Sequence, residues 1–441
     1  MVRILERMSK PKQIILGGGV SGLAAGVAGA GPVYEATAHP GGICSSYYVR
    51  PGSSQRLHQP PADEQAYRFE IGGGHWIFGG DPAVLRFIKD LAPVQSYSRR
   101  SGVYLPSEKI YTPFPIQNHL RYLGEARARQ ALEEMTHPSG EQTTMRDWLR
   151  RNFGPTLFDL FFDGFNRLYT AGLYDRIAPQ DAYKSPVDLN AVRQGATSDA
   201  PPPVGYNTQY LYPVEGLGTL ARRMAGRCSI HYGKRAGQID PLARVVYFED
   251  GSQVQYSRLL STLPLDAMLK LTGLSTPEKP DPYTSVLVVN LGAVKGGRCP
   301  QDHWIYVPQS RSGFHRVGFY SNVSPTFLPA SHRQRQDRTS IYVERAYPGG
   351  QKPSDAEVGA YCQALVRELQ EWEYIGEVEV IDPTWIDSAY TWSWPGSKWR
   401  SQAMQVLERH DIYPVGRYAR WIFQGIADSI RDGFIVGTSL K

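Results

Sequence analysis

Three glycines near the start of the chain have the spacing of a phosphate-binding turn. Gly17, Gly19 and Gly22 form a Gly-x-Gly-x-x-Gly pattern directly after a short apolar run, and small helix-forming residues follow. Such a strand, turn and helix lets a pyrophosphate approach the main chain at the second glycine and places the positive end of the helix at the phosphates. The same pattern also occurs in ordinary glycine-rich loops, so its weight depends on the residues that follow.

The next strand ends in a carboxylate at the distance expected for a bound ribose. Glu35 lies eighteen residues after Gly17 and closes a short strand-like stretch. In dinucleotide-binding folds a carboxylate at this position accepts hydrogen bonds from ribose hydroxyl groups. Gly41 and Gly42 follow within a few residues, where the backbone must again pass close to another group. Together these residues predict a bound dinucleotide.

An acidic residue followed so closely by Gly-Gly resembles the FAD-binding flavoproteins, which implies FAD as the cofactor. A separate nicotinamide-binding domain would need a second complete fingerprint after a buried strand. The one candidate, Gly216-Leu217-Gly218, follows residues 212–215, which do not have the pattern of a buried strand. We expect a turn into a helix there, so that NAD(P)H would act only as a transient reductant.

Charge and cysteine usage exclude several classes of protein. The net charge of +6 is spread along the chain, which favours a small anionic ligand over nucleic acid. The four cysteines, Cys44, Cys228, Cys299 and Cys362, lie too far apart for a metal site or a disulfide framework. No apolar stretch reaches the length of a membrane span and no signal peptide is recognisable, so a cytoplasmic protein is expected. The oligomeric state stays open.

The fold class indicated is α/β, with a Rossmann-type FAD-binding domain of the glutathione reductase kind interleaved with a helical region and a sheet-based substrate domain. Strand-like stretches return after a helical middle section, which predicts that the chain leaves the nucleotide domain and comes back to it. The expected segments are 1–80 and 226–281 for the two parts of the FAD-binding domain, 81–225 for a mainly helical cap, 282–410 for the substrate domain, and 411–441 for a C-terminal FAD-binding segment.

Aromatic residues are concentrated in the stretch from Pro155 to Thr170. One set, including Phe161 and Phe165, has the spacing of the buried face of a helix. Phe158, Phe162 and Tyr169 lie on a neighbouring face. These rings either pack in a core or form one wall of a ligand cleft.

Four further motifs are Gly73-Gly74-His75-x-Ile77-Phe78, Pro113-Phe114-Pro115-Ile116-Gln117-Asn118, the stretch from Phe314-His315-Arg316 to Ser324-Pro325, and Gly416-Arg417-Tyr418-x-x-Trp421. Together they resemble the UDP-galactopyranose mutase family, particularly its eukaryotic form. That family belongs to the flavoprotein group that also holds protoporphyrinogen oxidase and the amine oxidases. The similarity is low, but it spans nearly the whole chain.

The resemblance implies roles for individual residues. His75 and Arg316 would be catalytic, and Arg316 would hold the diphosphate of a sugar nucleotide through paired hydrogen bonds that Lys cannot give. Substrate contacts would come from Phe114, Gln117, Asn166, Lys184, Tyr390 and Phe423. Cofactor contacts would come from Gly17, Gly19, Val20, Ser21, Gly22, Glu35, Gly41, Gly42, Gly73, Gly74, Gly416, Arg417, Ala427, Asp428 and Ser429. No metal is implied.

The resemblance also implies a reaction. N5 of the reduced flavin attacks the anomeric carbon of the sugar and expels the nucleoside diphosphate, and the sugar recloses as a furanose, so no side-chain nucleophile is needed. Three departures leave the nucleotide and the sugar open. Lys184 stands near the place of a second diphosphate arginine, Phe423 replaces a substrate tyrosine, and Ile426-Ala427-Asp428 replaces Gly-Asn-Gln beside the flavin.

Several alternatives remain at this point. The chain is either a mutase or an FAD-dependent oxidase or desaturase of the protoporphyrinogen or amine oxidase type, and a flavin-bearing protein without catalysis is a third hypothesis. His75 either takes part in catalysis or is held by hydrogen bonds beside the cofactor. Asp428 lies near the flavin, caps a helix, or does both.

Overall fold

Strands and helices alternate along the chain in the computed structural model, which describes residues 13–180, 187–198 and 208–440. The strands are β1 (Gln13–Leu16), β2 (Val33–Tyr34), β3 (Ser46–Val49), β4 (Tyr67–Glu70), β5 (Ile77–Phe78), β6 (Val94–Ser98), β7 (Ser101–Leu105), β8 (Ile110–Pro113), β9 (Gln209–Pro213), β10 (Ile230–His231), β11 (Ala236–Asp240), β12 (Val245–Phe248), β13 (Gln253–Gln255), β14 (Arg258–Ser261), β15 (Tyr283–Lys295), β16 (Trp304–Tyr306), β17 (Arg316–Phe319), β18 (Arg338–Pro348), β19 (Ile375–Thr391) and β20 (Ile412–Pro414). The helices are α1 (Val20–Val27), α2 (Pro82–Leu91), α3 (Glu125–Thr136), α4 (Met145–Leu157), α5 (Asp163–Tyr169), α6 (Leu189–Thr197), α7 (Leu217–Ala225), α8 (Leu265–Thr272), α9 (Tyr320–Val323), α10 (Asp355–Glu371), α11 (Trp399–Glu408) and α12 (Ile426–Ser439).

The glycine-rich turn follows the central strand of a five-stranded parallel sheet with the order β10-β2-β1-β14-β20. Its strands come from three well-separated stretches of the chain, because other elements are inserted between them. Ile14, Ile15, Leu259 and Leu260 are fully buried, as expected for parallel strands that are covered on both faces. The predicted α/β fold with a Rossmann-type nucleotide sheet is confirmed.

The last helix packs against the first. A Cβ atom at Gly433 would overlap the main chain at Ser21, and one at Gly437 would lie 2.9 Å from the Cα of Ala25, so the two glycines allow α12 to lie close to α1. The helix predicted to begin near Ala427 begins at Ile426. This packing brings the C-terminal segment to the nucleotide sheet.

A seven-stranded sheet with the order β19-β15-β18-β17-β16-β7-β8 forms the second layer. Helix α10 covers one face and begins with the predicted capping box, in which Ser354 and Glu357 exchange hydrogen bonds. Its Leu365 and Leu369 are fully buried. Strands β15 to β19, which make up most of this sheet, all lie between residues 282 and 410.

The stretch expected to be mainly helical also contributes strands. β7 and β8 complete the seven-stranded sheet, since β7 pairs in parallel with β16. The prediction that no buried strand precedes Gly216 was wrong, because β9 ends at Pro213 and buries Tyr210 and Tyr212. That strand lies in a small antiparallel sheet between β5 and β6, so it does not build a second nucleotide fold. The predicted helix after Gly216 is α7.

The aromatic stretch is not one regular helix. Helix α4 passes through a kink at Gly154, where φ is +72°, and a π-helical turn at Phe158–Phe162 separates it from α5. A π-helical turn changes the direction in which the following side chains point and is frequent at functional sites. Within the described residues, no helix combines the length and apolar character that crossing a bilayer requires.

Candidate active site

A cavity of about 490 Å³ is lined by residues of the nucleotide sheet, the seven-stranded sheet and the aromatic helices. Most of the site residues predicted from sequence line it: Gly17, Gly19, Val20, Ser21, Glu35, Gly41, Gly42, Gly74, His75, Phe114, Asn166, Arg316, Tyr390, Arg417, Phe423 and Ser429. The other predicted residues that the structure describes do not line it: Gly22, Gly73, Gln117, Gly416, Ala427 and Asp428. Lys184 lies outside the described residues.

The three glycines of the first turn have different physical reasons to be glycine. Gly17 has φ of +96°, and a Cβ there would overlap the Thr262 hydroxyl. A Cβ at Gly22 would overlap the main-chain carbonyl of Gly17, so Gly22 allows the helix to pack on the turn. At Gly19 a Cβ would meet only the Gly41 carbonyl oxygen, 4.0 Å away. The protein therefore leaves open space at Gly19, where a pyrophosphate would approach.

The groups around this turn suit a dinucleotide. Gly19 caps α1 without a side-chain hydrogen bond, and the first helical turn carries no acidic residue, so the helix end can receive an anion. Glu35 Oε2 accepts a hydrogen bond of 2.6 Å from the Gly18 amide, and Oε1 accepts one of 2.8 Å from the Thr37 amide. These bonds fix the carboxylate beside the turn and leave it lone pairs for ribose hydroxyl groups. The residues present thus fit FAD.

The turn at Gly73 and Gly74 is shaped by side chains from β18. Gly73 has φ of +77°, and a Cβ there would lie 3.0 Å from Oε1 of Glu344. A Cβ at Gly74 would overlap the hydroxyl and ring of Tyr342. Tyr342 and Glu344 are therefore the groups that approach the main chain closely at this turn, while Gly74 also lines the cavity.

His75 is a neutral, buried imidazole at the cavity wall. Burial, together with the charge of Arg417, lowers the pKa of His75 to about 4. Its Nδ1 atom and the indole nitrogens of Trp76 and Trp304 are buried without hydrogen-bond partners among the residues that the structure describes. Because unpaired buried polar groups are costly, these atoms indicate that the cavity receives a polar ligand.

Arg316 and Glu344 form a buried ion pair at the cavity. They lie opposite each other on β17 and β18, and the guanidinium Nη2 donates to Oε1 of Glu344. The Tyr390 hydroxyl donates to Oε2 over 3.4 Å, and Nε2 of His315 lies 3.5 Å from the same oxygen. Burial opposes ionisation of Glu344, yet Arg316 and His315 lower its pKa to about 2. Glu344 is therefore a carboxylate at neutral pH, and Arg316 Nε has no hydrogen-bond partner in the described part of the chain.

Arg417 supplies a second cation. Its Nη1 donates to the Gln424 carbonyl over 3.4 Å and its Nη2 to the Ala389 carbonyl over 3.3 Å, while Nε is buried and meets no partner in residues 13–180, 187–198 or 208–440. The guanidinium carbon lies 4.7 Å from the centre of the Phe423 ring. The Phe423 ring thus packs on this cation.

Aromatic rings form the remaining wall. Phe114 and Phe165 both pack on Tyr306, with ring centres 4.6 and 5.3 Å apart, and Tyr169 packs on Tyr390 at 4.7 Å. Of the set whose role was left open, Phe162 and Tyr169 line the cavity together with Phe161 and Phe165, whereas the buried Phe158 does not. The wall is therefore both part of a core and part of the cleft.

Several predicted residues are engaged elsewhere. Gln117 is buried in the short helical segment Ile116–Asn118, and the Asn166 amide donates to the Phe162 carbonyl over 2.8 Å. The Asp428 carboxylate accepts from the Gly425 amide over 3.3 Å and so caps α12. The Gly416 amide donates to Asp432 over 2.7 Å, and a Cβ at Gly416 would overlap the Ser21 hydroxyl.

Sequence reasoning missed Glu344, Tyr342, Tyr306 and His315 as site residues. One sequence feature could have indicated Glu344 as a site residue, because it is a charged residue at the end of an apolar, strand-like stretch. His315 stands next to Arg316 but was included only as part of the motif. Cys44 lines the cavity, and burial raises the pKa of its thiol to about 12, so the thiol is protonated and packs as a small apolar group.

The parallel nucleotide sheet, the glycine cradle and the polar cavity define an FAD-binding flavoprotein fold. The sequence model described as "Flavin containing amine oxidoreductase" matches residues 21–385. The chain therefore belongs to that family, and the family implies FAD as the cofactor.

Solved structures share this fold. A reduced UDP-galactopyranose mutase is 21% identical, with a TM-score of 0.82 over 98% of this chain and 93% of that chain. A CLA-producing fatty acid isomerase from P. acnes is 15% identical (TM-score 0.60, 98% of both chains), and putrescine oxidase bound to putrescine is 16% identical (TM-score 0.59, 98% of both chains). No curated protein matches the sequence. At these identities the structures share the fold alone.

Proposed function

We propose that this chain is an FAD-dependent mutase that interconverts the pyranose and furanose forms of a nucleotide-linked sugar. The observation that carries the proposal is Arg316, a largely buried cation at the cavity wall whose Nε has no partner among the described residues. A guanidinium has five N–H donors, and Glu344 takes only one nitrogen in the structure. The remaining edge can bind a diphosphate through two parallel hydrogen bonds.

The charges of the cavity suit such a ligand. Glu344 offsets Arg316, which leaves Arg417 as a further positive group beside the cofactor position. Unpartnered donors on His75, Trp76 and Trp304 would bind hydroxyl or phosphate oxygens of the sugar nucleotide. An amine or hydrocarbon substrate would leave these donors unsatisfied, which is costly in a buried site.

FAD, when bound at the glycine turn and the start of α12, would supply the electron-rich reduced ring that the isomerisation needs. We assign to Arg316 the positioning of the diphosphate and to the Phe114 and Tyr306 rings the stacking of the nucleotide base. His75 stays neutral and offers hydrogen bonds near the ring. NAD(P)H would reduce the flavin in a transient encounter. The overall similarity to a UDP-galactopyranose mutase, far greater in TM-score than that to putrescine oxidase, supports the proposal.

An FAD-dependent oxidase or desaturase is the second candidate. The observation in its favour is the apolar wall formed by Trp148, Leu149, Phe161 and Phe165, together with Phe423 in place of a polar tyrosine. A long apolar or amine substrate would pack against these residues. Membership in the amine oxidoreductase family is compatible with both candidates.

An anaerobic assay separates the two. The flavin-loaded protein is reduced with dithionite and incubated with UDP-, GDP- and dTDP-sugars, and the products are separated by chromatography. We expect a furanose isomer with reduced protein only. Arg316→Lys should lower kcat/KM roughly 10- to 100-fold, because it keeps the charge but loses the paired hydrogen bonds. Arg129→Lys, at an exposed helix position, is the matched control. Hydrogen peroxide formed from another compound in air, without any isomer, would favour the oxidase.

A further inference from the structure

His315 has the surroundings of a proton-transferring residue. The imidazole is buried and lines the cavity, and within the described part of the chain Nδ1 has no hydrogen-bond partner. Its Nε2 atom lies 3.5 Å from Oε2 of Glu344. A phenyl ring would pack equally well between Tyr169 and Phe165, whose ring centres are 5.3 and 6.0 Å away, without burying an unpaired Nδ1.

We propose that His315 transfers a proton to and from hydroxyl groups of the bound sugar, and that Glu344 orients its imidazole. The inference rests on the proposed mutase function. When a pyranose becomes a furanose, the bond between the anomeric carbon and the ring oxygen breaks, and a bond to a neighbouring hydroxyl oxygen forms. The departing ring oxygen gains one proton and the attacking hydroxyl loses one, so the transfer is balanced without any further reactant.

The other groups in the cavity suit this task less well. Glu344 remains ionised to a pH far below neutrality, because Arg316 is paired with it. Burial raises the pKa of the Tyr390 hydroxyl, so Tyr390 keeps its proton. His75 faces the cations Arg417 and Arg316, which oppose its protonation, although Glu344 acts in the opposite sense.

His315 differs from His75 because a carboxylate adjoins it. Nε2–H can point to Glu344, which leaves Nδ1 as the proton acceptor, and the carboxylate stabilises the imidazolium that forms. Burial lowers the pKa of His315 and the charge of Arg316 adds to this effect, whereas Glu344 partly opposes it. The residue is therefore a neutral base at neutral pH. Arg316 and Glu344 are the charged groups that face it, and Tyr169 and Tyr390 are the nearest tyrosines.

The test uses the reduced, flavin-loaded full chain and the UDP-, GDP- or dTDP-sugar that the wild type isomerises fastest. We expect His315→Asn and His315→Gln to lower kcat about 100- to 1,000-fold with KM within about threefold, as for loss of a general base. For the wild type, kcat/KM should fall on acidification at a pH below the usual histidine range, and this fall should be absent in the variants. His137→Asn, at an exposed position, is the control.

Chemical rescue distinguishes proton transfer from a structural role. Imidazole added to His315→Ala should restore activity at least tenfold, and the flavin absorbance of each variant shows whether the cofactor is retained. Unchanged pH profiles, or a loss of kcat that imidazole does not restore in a flavin-loaded variant, would overturn the inference while the mutase function stands. A wild-type protein that isomerises none of the sugars would overturn the mutase function and this inference with it.

Discussion

The side chains of Arg316 and Glu344 form an ion pair inside the cavity, 19% and 2% exposed, and they project from directly opposite positions on β17 and β18. Cross-strand partners share one face of a sheet, so the register of the two strands fixes the pair before any ligand binds. The carboxylate holds the guanidinium in place and leaves its other edge for a ligand. The cavity is therefore preorganised around one paired cation.

Replacement of Glu344 should be costly to the fold. Glu344→Gln leaves the Arg316 charge buried without compensation, and loss of one partner of a buried pair typically costs about 3–5 kcal/mol of unfolding free energy. Urea unfolding at pH 7 measures the effect. Glu125→Gln removes an exposed pair with Arg129 and should change the free energy by less than about 0.5 kcal/mol. Equal stability of the two variants would show that Arg316 does not depend on Glu344.

Alanine substitutions in the first glycine turn should have separable effects on folding and on FAD binding. Gly19→Ala places a methyl group in open space at an ordinary φ of −70°, so the apoprotein should unfold like the wild type. The same methyl group should weaken FAD binding about tenfold or more, because it fills the approach to the main chain. Gly22→Ala overlaps the Gly17 carbonyl and should destabilise the apoprotein itself. Flavin titration and thermal unfolding measure the two effects, and a Gly19→Ala protein with normal FAD affinity would refute the assignment of this turn.

An added methyl group at Gly74 should destabilise the fold, because a core side chain lies against this glycine. Gly74→Ala overlaps Tyr342 and should cost about 1–3 kcal/mol, as overpacking of a core usually does. Gly359→Ala is the matched control, since a Cβ there meets no atom within 4 Å in helix α10, and it should stabilise the protein by up to about 1 kcal/mol. Chemical denaturation of both variants checks the difference. If Gly74→Ala leaves the unfolding free energy unchanged, Tyr342 moves aside at no cost.

His303 should make stability depend on pH. Burial and the charge of Arg100 lower its pKa to about 4 from the ordinary histidine value of 6.5, so between these values the unfolded chain binds a proton that the folded protein does not. The stability that the neutral imidazole contributes is complete above pH 6.5 and falls by about 1.4 kcal/mol per unit as the pH decreases toward 4. His303→Gln lacks this dependence. The difference in unfolding free energy between wild type and variant should therefore shrink by about 3 kcal/mol over this range, and a constant difference would contradict the assignment.

The structure could be predicted from the sequence where a local pattern of residues determines it. The spacing of Gly17, Gly19 and Gly22 predicts the strand, turn and helix because the three glycines lie within six residues and form one local turn. The capping box at Ser354 and Glu357 is local in the same way. The motif around Arg316 was enough to place that arginine at the cavity.

The sequence did not predict contacts that depend on how distant strands pair. Glu344 lies 28 residues from Arg316, and only the register of β17 and β18 brings them together. The reason for glycine at position 74 is Tyr342, which no local pattern reveals. The parallel pairing of β7 with β16 likewise joins distant parts of the chain, so the strands in the stretch expected to be helical were missed.

The most direct test of the central claim is the number of sugar molecules isomerised per reducing equivalent. The flavin-loaded protein is reduced anaerobically with one equivalent of dithionite and given an excess of the active sugar nucleotide, and product and flavin spectrum are followed together. A non-redox mutase predicts many turnovers while the flavin stays reduced. Product limited to one equivalent, or a flavin that is reoxidised as the sugar is consumed, would contradict the account and establish a redox enzyme.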